Sequence, residues 1–287
     1  MALLLAMSAT AFSPMAIAPS RAAAPSPSVR MAVMPPLPVL AAACTVPTCL
    51  GFWKTEYGVS YAYGAATAIV GGLALRAAPN PIVAAHAACV LIYGIRLNMF
   101  LLWREISVQR FREFREKIEA RTVAAGGRLK RTPFVLSCSF LYFCMCAPLL
   151  VTSQLGATAP VALAPLVGVA WFGLLLAAVG DGWKSFVKAR EGPDTLVITG
   201  PFRLFRHPNY TGEQILWTAN ALCAFVGAAA VGMRAKAPLL VASVVGWAGI
   251  CFVLARATSS LEKKQSERYA AFVSWRKRSF GGWRLAG

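Results

Sequence analysis

Long apolar runs separated by short polar segments dominate the chain from residue 61 onward. Six of them reach or approach the roughly 20 residues that an α-helix needs to cross a ~30 Å hydrocarbon core: 61–78, 82–103, 133–152, 160–180, 210–232 and 237–255. The first is short and rich in Ala and Gly. All six are continuous rather than alternating, so they predict helices and exclude a barrel, whose strands need both a lipid face and a lumen face. Residues 104–131 carry a different periodicity. There Glu105, Arg112, Glu116 and Glu119 recur at helical spacing among Phe111, Phe114 and Ile118, which predicts an amphipathic helix lying on the membrane surface. The expected fold is therefore all-α, a polytopic transmembrane helical bundle with about six to seven membrane helices and a surface amphipathic helix, forming a single domain over residues 50–287.

Composition agrees with this reading. The hydrophobic share is 57%, against ~45–50% for a soluble domain. The net charge of +18 raises nucleic acid as a partner, but the basic residues follow the membrane pattern instead. Nine Lys/Arg lie in 104–131, five in 181–209 and eight in 256–287, together 22 of 29. An even number of crossings separates these segments, so all three share one side, the cytoplasm or the plastid stroma by the positive-inside rule. The expected partner is the lipid bilayer, not nucleic acid. The eight cysteines fall mostly in apolar runs and form no Cys-x-x-Cys pair or Cys/His cluster, so neither a metal nor a disulfide framework is expected.

The first acidic residue is Glu56, and residues 1–43 are rich in Ala, Ser, Pro and Met, with Arg21 and Arg30 as their charges. That composition reads as an address, with the presequence taken as 1–35. A short apolar run from Met1 to Met7, small residues around Phe12, and Ser28-Val29-Arg30-Met31-Ala32 resemble the bipartite presequences of algae with secondary plastids. A plastid membrane is expected, with the endoplasmic reticulum as the alternative.

Of eleven acidic residues, Glu213 alone lies inside an apolar segment. An ionisable group near the bilayer centre costs ~2.5–3.5 kcal/mol on insertion scales and marks a candidate site. Gly200-Pro201 predicts a turn before it, and Pro208 suits the first position of a helix because its missing N–H has no partner there anyway. On that helix Tyr210, Glu213 and Trp217 share a face. Arg203, Arg206 and His207 precede it, and the free N–H groups of a helix start suit a phosphate or carboxylate. The alternative is an interfacial belt, with Tyr and Trp as anchors and Arg on lipid headgroups. Arg96 sits late in the second run, able either to reach a carboxylate such as Glu213 or to extend to the basic face. His86 reads as a packed polar residue.

Several segments then resemble one family. Tyr93-Gly94-Ile95-Arg96-Leu97 with Arg104, Leu141-Tyr142 through Pro148, Asp181-Gly182-Trp183-Lys184, Gly200-Pro201-Phe202-Arg203 and the run Arg206-His207-Pro208-Asn209-Tyr210-Thr211-Gly212-Glu213 resemble the membrane family that shares the steroid 5-alpha-reductase C-terminal domain. The tail from Glu262 to Trp283, with Tyr269, Phe272, Arg276, Ser279 and Phe280, resembles its closing motif, so the likeness spans 90–283. One branch of that superfamily reduces a carbon–carbon double bond of a sterol or other lipid with NADPH. The other, with isoprenylcysteine carboxyl methyltransferase, uses S-adenosylmethionine. The Asn209-Tyr210-x-Gly212-Glu213 run is closer to the reductases. The resemblance implies NADPH phosphates on Arg203, Arg206, His207, Arg268 and Arg276, with Asp181, Lys184, Asn209 and Tyr269 as further cofactor contacts. It implies a catalytic role for Tyr210 and Glu213 and a lipidic, isoprenoid or sterol-like substrate. Trp183 replaces the glutamine usual in the family, and Gly281-Gly282 stands where a proline is expected. The rival implications are a methyltransferase, with Glu213, Tyr210 and Trp217 facing a sulfonium, and a non-catalytic lipid-binding protein.

Overall fold

A computed structural model describes residues 33–282; nearly all of the expected presequence, and Trp283, lie outside the described residues. Ten α-helices occupy the described chain: α1 (Leu37–Thr48), α2 (Leu50–Trp53), α3 (Ser60–Arg76), α4 (Pro81–Ser107), α5 (Gln109–Ala124), α6 (Thr132–Thr152), α7 (Leu163–Glu191), α8 (Pro208–Val231), α9 (Met233–Arg268) and α10 (Phe272–Arg276). No strand occurs among the described residues, and one isolated bridge joins Phe205 to Phe280. Among the described residues six helices are long and apolar enough to cross a membrane, matching the six runs read from the sequence. The chain is a multi-pass helical membrane protein.

Local chemistry sets the helix ends. Pro81, Pro133 and Pro208 stand in the first turns of α4, α6 and α8, where an N–H is dispensable. Asn80 caps α4: its Oδ1 accepts from the N–H groups of Ile82 and Val83 at 3.1 and 3.0 Å, while its Nδ2 donates to the Gly156 carbonyl. Such a cap contributes about 1 kcal/mol. Between α8 and α9, Gly232 has φ +108°, a left-handed conformation that lets the chain reverse within one residue. With 36 residues, α9 is about 54 Å long at 1.5 Å per residue, so its last turns project beyond any bilayer core.

Helix α1 begins at Leu37, inside the stretch whose composition reads as an address. Leu40 and Cys44 are buried in the main core, and Thr45 Oγ1 lies 2.6 Å from Ser139 Oγ of α6.

Small residues bring the main helices together. Along the α7–α8 seam, a Cβ on Gly173 would lie 2.6 Å from the Gly212 carbonyl and the Leu216 amide, and one on Gly180 would lie 2.7 Å from the Asn209 amide. Lipid gives helices no hydrophobic reason to associate, so this close backbone approach supplies the packing instead. The α3–α4 seam uses Gly64, Gly71 and Gly94 in the same way. Near the other end, His86 is fully buried and bonds Asn220 Oδ1 at 2.9 Å and Thr152 Oγ1 at 3.2 Å, while Asn220 Nδ2 donates to the Met145 carbonyl. His86 is thus a packed polar residue tying α4, α6 and α8.

The three basic segments meet at one end of the bundle. Asp194, in the connection after α7, pairs with Arg110 of α5 and, at 2.5 Å, with Arg268 of α9. Their common side, inferred from charge, is a physical junction. Helix α5 lies there with most of its side chains exposed and only Arg115 and Thr122 buried.

Candidate functional site

Glu213 sits one and a half turns into α8 and points inward. It is 7% exposed, so it does not reach out to water. Its Oε2 accepts a hydrogen bond from Tyr93 Oη at 2.7 Å, and the Tyr93 and Tyr63 hydroxyls lie 2.8 Å apart. A phenol has one proton to give. With Tyr93 donating to Glu213, Tyr63 donates to Tyr93, and α3, α4 and α8 share one hydrogen-bonded chain. Burial of an unpaired carboxylate is costly, and these bonds offset it.

Aromatic rings enclose the chain. Trp217, one turn after Glu213 and 1% exposed, meets Tyr93 edge to face at 5.3 Å and Tyr63 at 6.1 Å. Tyr142 of α6 stacks on Tyr63 at 5.5 Å and donates its hydroxyl proton to the Val59 carbonyl. Burial of both Glu213 and Trp217 removes them from the interfacial-belt reading.

Toward the basic end stands a second layer. Arg96 pairs with Asp181 of α7 and donates to the Ala177 carbonyl at 3.2 Å. Its partner carboxylate is therefore Asp181 and not Glu213, and a side chain only 18% exposed does not extend to the surface. Its Nη1 has no hydrogen bond. Lys184 follows Asp181 along α7, and no ion pair holds it among the described residues. The close pass of Gly180 places Asp181 beside the first turn of α8, where Asn209 and Tyr210 lie. Tyr210 is half-buried, its ring 6.0 Å from that of His207. Trp183, the residue that departs from the resemblance, donates its indole N–H to Thr199 Oγ1 at 3.2 Å and covers Gly200, whose φ of +56° is the left-handed turn.

The third layer is a clamp formed by the tail. Arg206 and His207 each lie 3.4 Å from Glu262 of α9, and Arg276 lies 3.8 Å from the same carboxylate. Phe280 accepts from the Arg206 amide at 2.8 Å and donates to the Leu204 carbonyl at 2.7 Å. Arg206 Nε, His207 Nε2 and Thr211 Oγ1 are buried without a hydrogen bond.

The residues expected at a phosphate site therefore divide. Arg206, His207 and Arg276 converge on Glu262. Arg268 turns to Asp194, with Tyr269 beneath its guanidinium at 5.7 Å. Arg203 is exposed and has no ion pair among the described residues. Sequence reasoning missed Tyr63, Tyr93 and Glu262 as parts of the site. Tyr93 carried a weak signal, standing three residues before Arg96 on one face of α4, and Tyr63 carried none. Glu262 carried none, because Arg206 lies 56 residues before it along the chain.

Such an arrangement defines a class: a multi-pass α-helical membrane protein with a carboxylate–phenol chain buried under a cationic mouth. The chain belongs to DUF1295, a family of proteins of unknown function that matches residues 57–277. No curated protein and no solved structure matches it. Among the described residues no cluster of three or more His, Cys, Asp or Glu side chains is placed to hold a metal ion.

Proposed function

We propose that the protein is an NADPH-dependent membrane reductase that saturates a carbon–carbon double bond of a lipidic substrate, isoprenoid or sterol-like. The observation that carries this reading is the Tyr63–Tyr93–Glu213 hydrogen-bonded chain, buried beneath a mouth whose donors are partly unpaired. Arg96 Nη1 and Arg206 Nε are buried N–H positions without a hydrogen bond, and unpaired buried donors fit a polyanionic cofactor. Arg203, Arg206, His207 and Arg276 would hold its phosphates, with Glu262 offsetting part of their charge. Lys184, Asn209 and the Asp181–Arg96 pair would line the path inward. Arg268, joined to Asp194, and Tyr269 beneath it would close the tail over it.

When bound, NADPH supplies the hydride that one alkene carbon accepts. Tyr93 would give the proton taken by the neighbouring carbon; Glu213, entering turnover protonated, would return one to the same oxygen and be reprotonated from the mouth, and Tyr63 would hold the phenolate in the interval. The aromatic wall of Trp217 and Tyr142 excludes water from that exchange. Tyr210, at the edge of the mouth, positions the cofactor's reactive end. The steroid 5-alpha-reductase resemblance supports the same assignment, and the membrane proposed is that of a plastid, with the endoplasmic reticulum as alternative.

One observation favours a second reading. The rings of Tyr63, Tyr93 and Trp217 gather beside a carboxylate, a setting that attracts a sulfonium cation. S-adenosylmethionine would then be the cofactor and methyl transfer the reaction. Thermal-shift titration of the detergent-purified chain with NADPH, NADH and S-adenosylmethionine separates the two. Saturable stabilisation by NADPH is expected; stabilisation by S-adenosylmethionine without NADPH would overturn the reductase, and a response to none would make the protein a lipid-binding module.

A further inference from the structure

A separate cavity of about 210 Å³ opens at the basic end of the bundle, between α5, the end of α4 and the segment before α3. Glu105, which lines it, is twelve residues beyond Tyr93 on α4, about 18 Å at 1.5 Å per residue. The cavity is therefore distinct from the Glu213 site. Trp53 and Trp103 stand nearby with 63% and 45% of their surface exposed, which sets this level of the fold at the headgroup region of a bilayer.

Its lining departs from the rest of that end of the molecule. The surrounding face is strongly basic, yet the cavity wall carries four carboxylates against four cations. Two of the carboxylates are engaged. Glu105 accepts from Tyr57 and from Tyr61 and lies 3.2 Å from Arg115 and 3.7 Å from Lys54. Glu119 holds Arg128 and accepts from the Thr55 amide at 3.0 Å. The other two, Glu56 and Glu116, have no ion pair among the described residues.

The cations divide likewise. Arg112 donates from Nη1 to the Glu105 and Ile106 carbonyls at the end of α4. Arg115 is 9% exposed and is packed among the rings of Tyr57, Tyr61 and Phe111 at 4.7–5.0 Å. Its Nη2 reaches Ser60 Oγ at 3.3 Å, but its Nε has no hydrogen bond. A buried guanidinium N–H left open is costly unless something accepts from it.

The open groups thus specify a ligand with two ends. One must be an anion that accepts from Arg115, and the other an N–H cation that donates to Glu56 and Glu116. A purely anionic molecule would meet two unpaired carboxylates, and like charges brought together in a partly buried site repel strongly. The geometry points to a binding site for a small zwitterion of the phosphoethanolamine type, present either as the headgroup of a bilayer lipid or as a free phosphodiester. The site would hold the surface helix α5 against the bundle when occupied.

Titration of the full-length protein in detergent tests this, with glycerophosphoethanolamine, glycerophosphate and ethanolamine as soluble probes and unfolding temperature as the readout. The same readout is taken in nanodiscs of phosphatidylethanolamine or of phosphatidylglycerol in a phosphatidylcholine background. Half-saturation by glycerophosphoethanolamine should come at least about tenfold below that by glycerophosphate. Stabilisation by the phosphatidylethanolamine nanodiscs alone would support the site and assign its ligand to the bilayer. Arg115→Gln should abolish the response. Because that residue is buried, the exposed Glu116→Gln, combined with Glu56→Gln, supplies a second variant, in which the preference for the zwitterion over glycerophosphate should collapse. An equal wild-type response to glycerophosphate, or to phosphatidylglycerol, would overturn the proposal in favour of a simple anion site. Absence of any saturable response in detergent and in nanodiscs would overturn it in favour of a water-filled cavity.

Discussion

Substitution of Gly212 by alanine is predicted to separate α7 from α8 and to destabilise the bundle. The new Cβ would lie 2.5 Å from the Ala177 amide nitrogen and the Gly173 carbonyl oxygen. Ordinary contact begins near 3.4 Å, so the helices would have to part by about 1 Å, because backbone atoms cannot turn aside as a side chain can. Overpacking of this kind costs about 2 kcal/mol, roughly a thirtyfold loss in the folded-to-unfolded ratio. Glu213 is the next residue, so the same displacement would strain its bond to Tyr93. Gly182, also on α7, has nothing within 4 Å of an added Cβ, and Gly182→Ala should stabilise by about 0.5 kcal/mol through helix propensity alone. Equilibrium unfolding in mixed detergent micelles compares the two variants with wild type. Equal stability of Gly212→Ala and Gly182→Ala would refute the close-packed seam.

Arg96→Met should destabilise the protein by about 3 kcal/mol, since it leaves Asp181 buried without its partner, whereas Arg96→Met with Asp181→Asn should cost less than the sum of the single changes; additive unfolding energies would refute the pairing. Tyr93→Phe should lower turnover by about 10²-fold or more while leaving NADPH binding intact, measured as kcat against cofactor half-saturation once a substrate is in hand. Asp194 has its carboxyl held down from the usual 3.8 to about 2, first by the hydrogen bond from Arg110 and then by Arg268. A depressed carboxylate contributes stability above its unfolded pKa and loses it as pH falls from about 4 to 2. In that window Asp194→Asn should flatten the low-salt pH dependence of unfolding, and an unchanged slope would count against the Arg110–Asp194–Arg268 junction. His86→Leu should cost about 1–3 kcal/mol by stranding Asn220, with turnover of the folded fraction unaffected.

Much of the architecture was legible because crossing a bilayer imposes a length and an apolarity that appear directly in a sequence. The six runs, the amphipathic periodicity of α5 and the common side of the basic segments all follow from that constraint. Helix α1 was not, because Ala, Val and Leu at 37–43 suit an address as well as a helix, and only the burial of Leu40 against distant helices distinguishes them. Glu213 stood out as a charge in an apolar run, and Pro208 marked its helix start. Its partners were harder to find. Tyr63 and Tyr93 are 120 to 150 residues away from it along the chain, and nothing local tells a phenol facing the core from one facing lipid. The same holds for Arg96, whose choice of Asp181 over Glu213 depends on how far α7 slides along α8. That offset is set by Gly173, Gly180 and Gly212, which read in the sequence only as small residues.

Mass spectrometry of the reaction product tests the reductase reading most directly. The detergent-purified protein, incubated with a plastid or microsomal lipid extract and NADPH, is predicted to convert one lipid to a product heavier by about 2 Da, with loss of NADPH absorbance and with neither change in Tyr93→Phe or Glu213→Gln. A product heavier by about 14 Da that requires S-adenosylmethionine and appears without NADPH would contradict it.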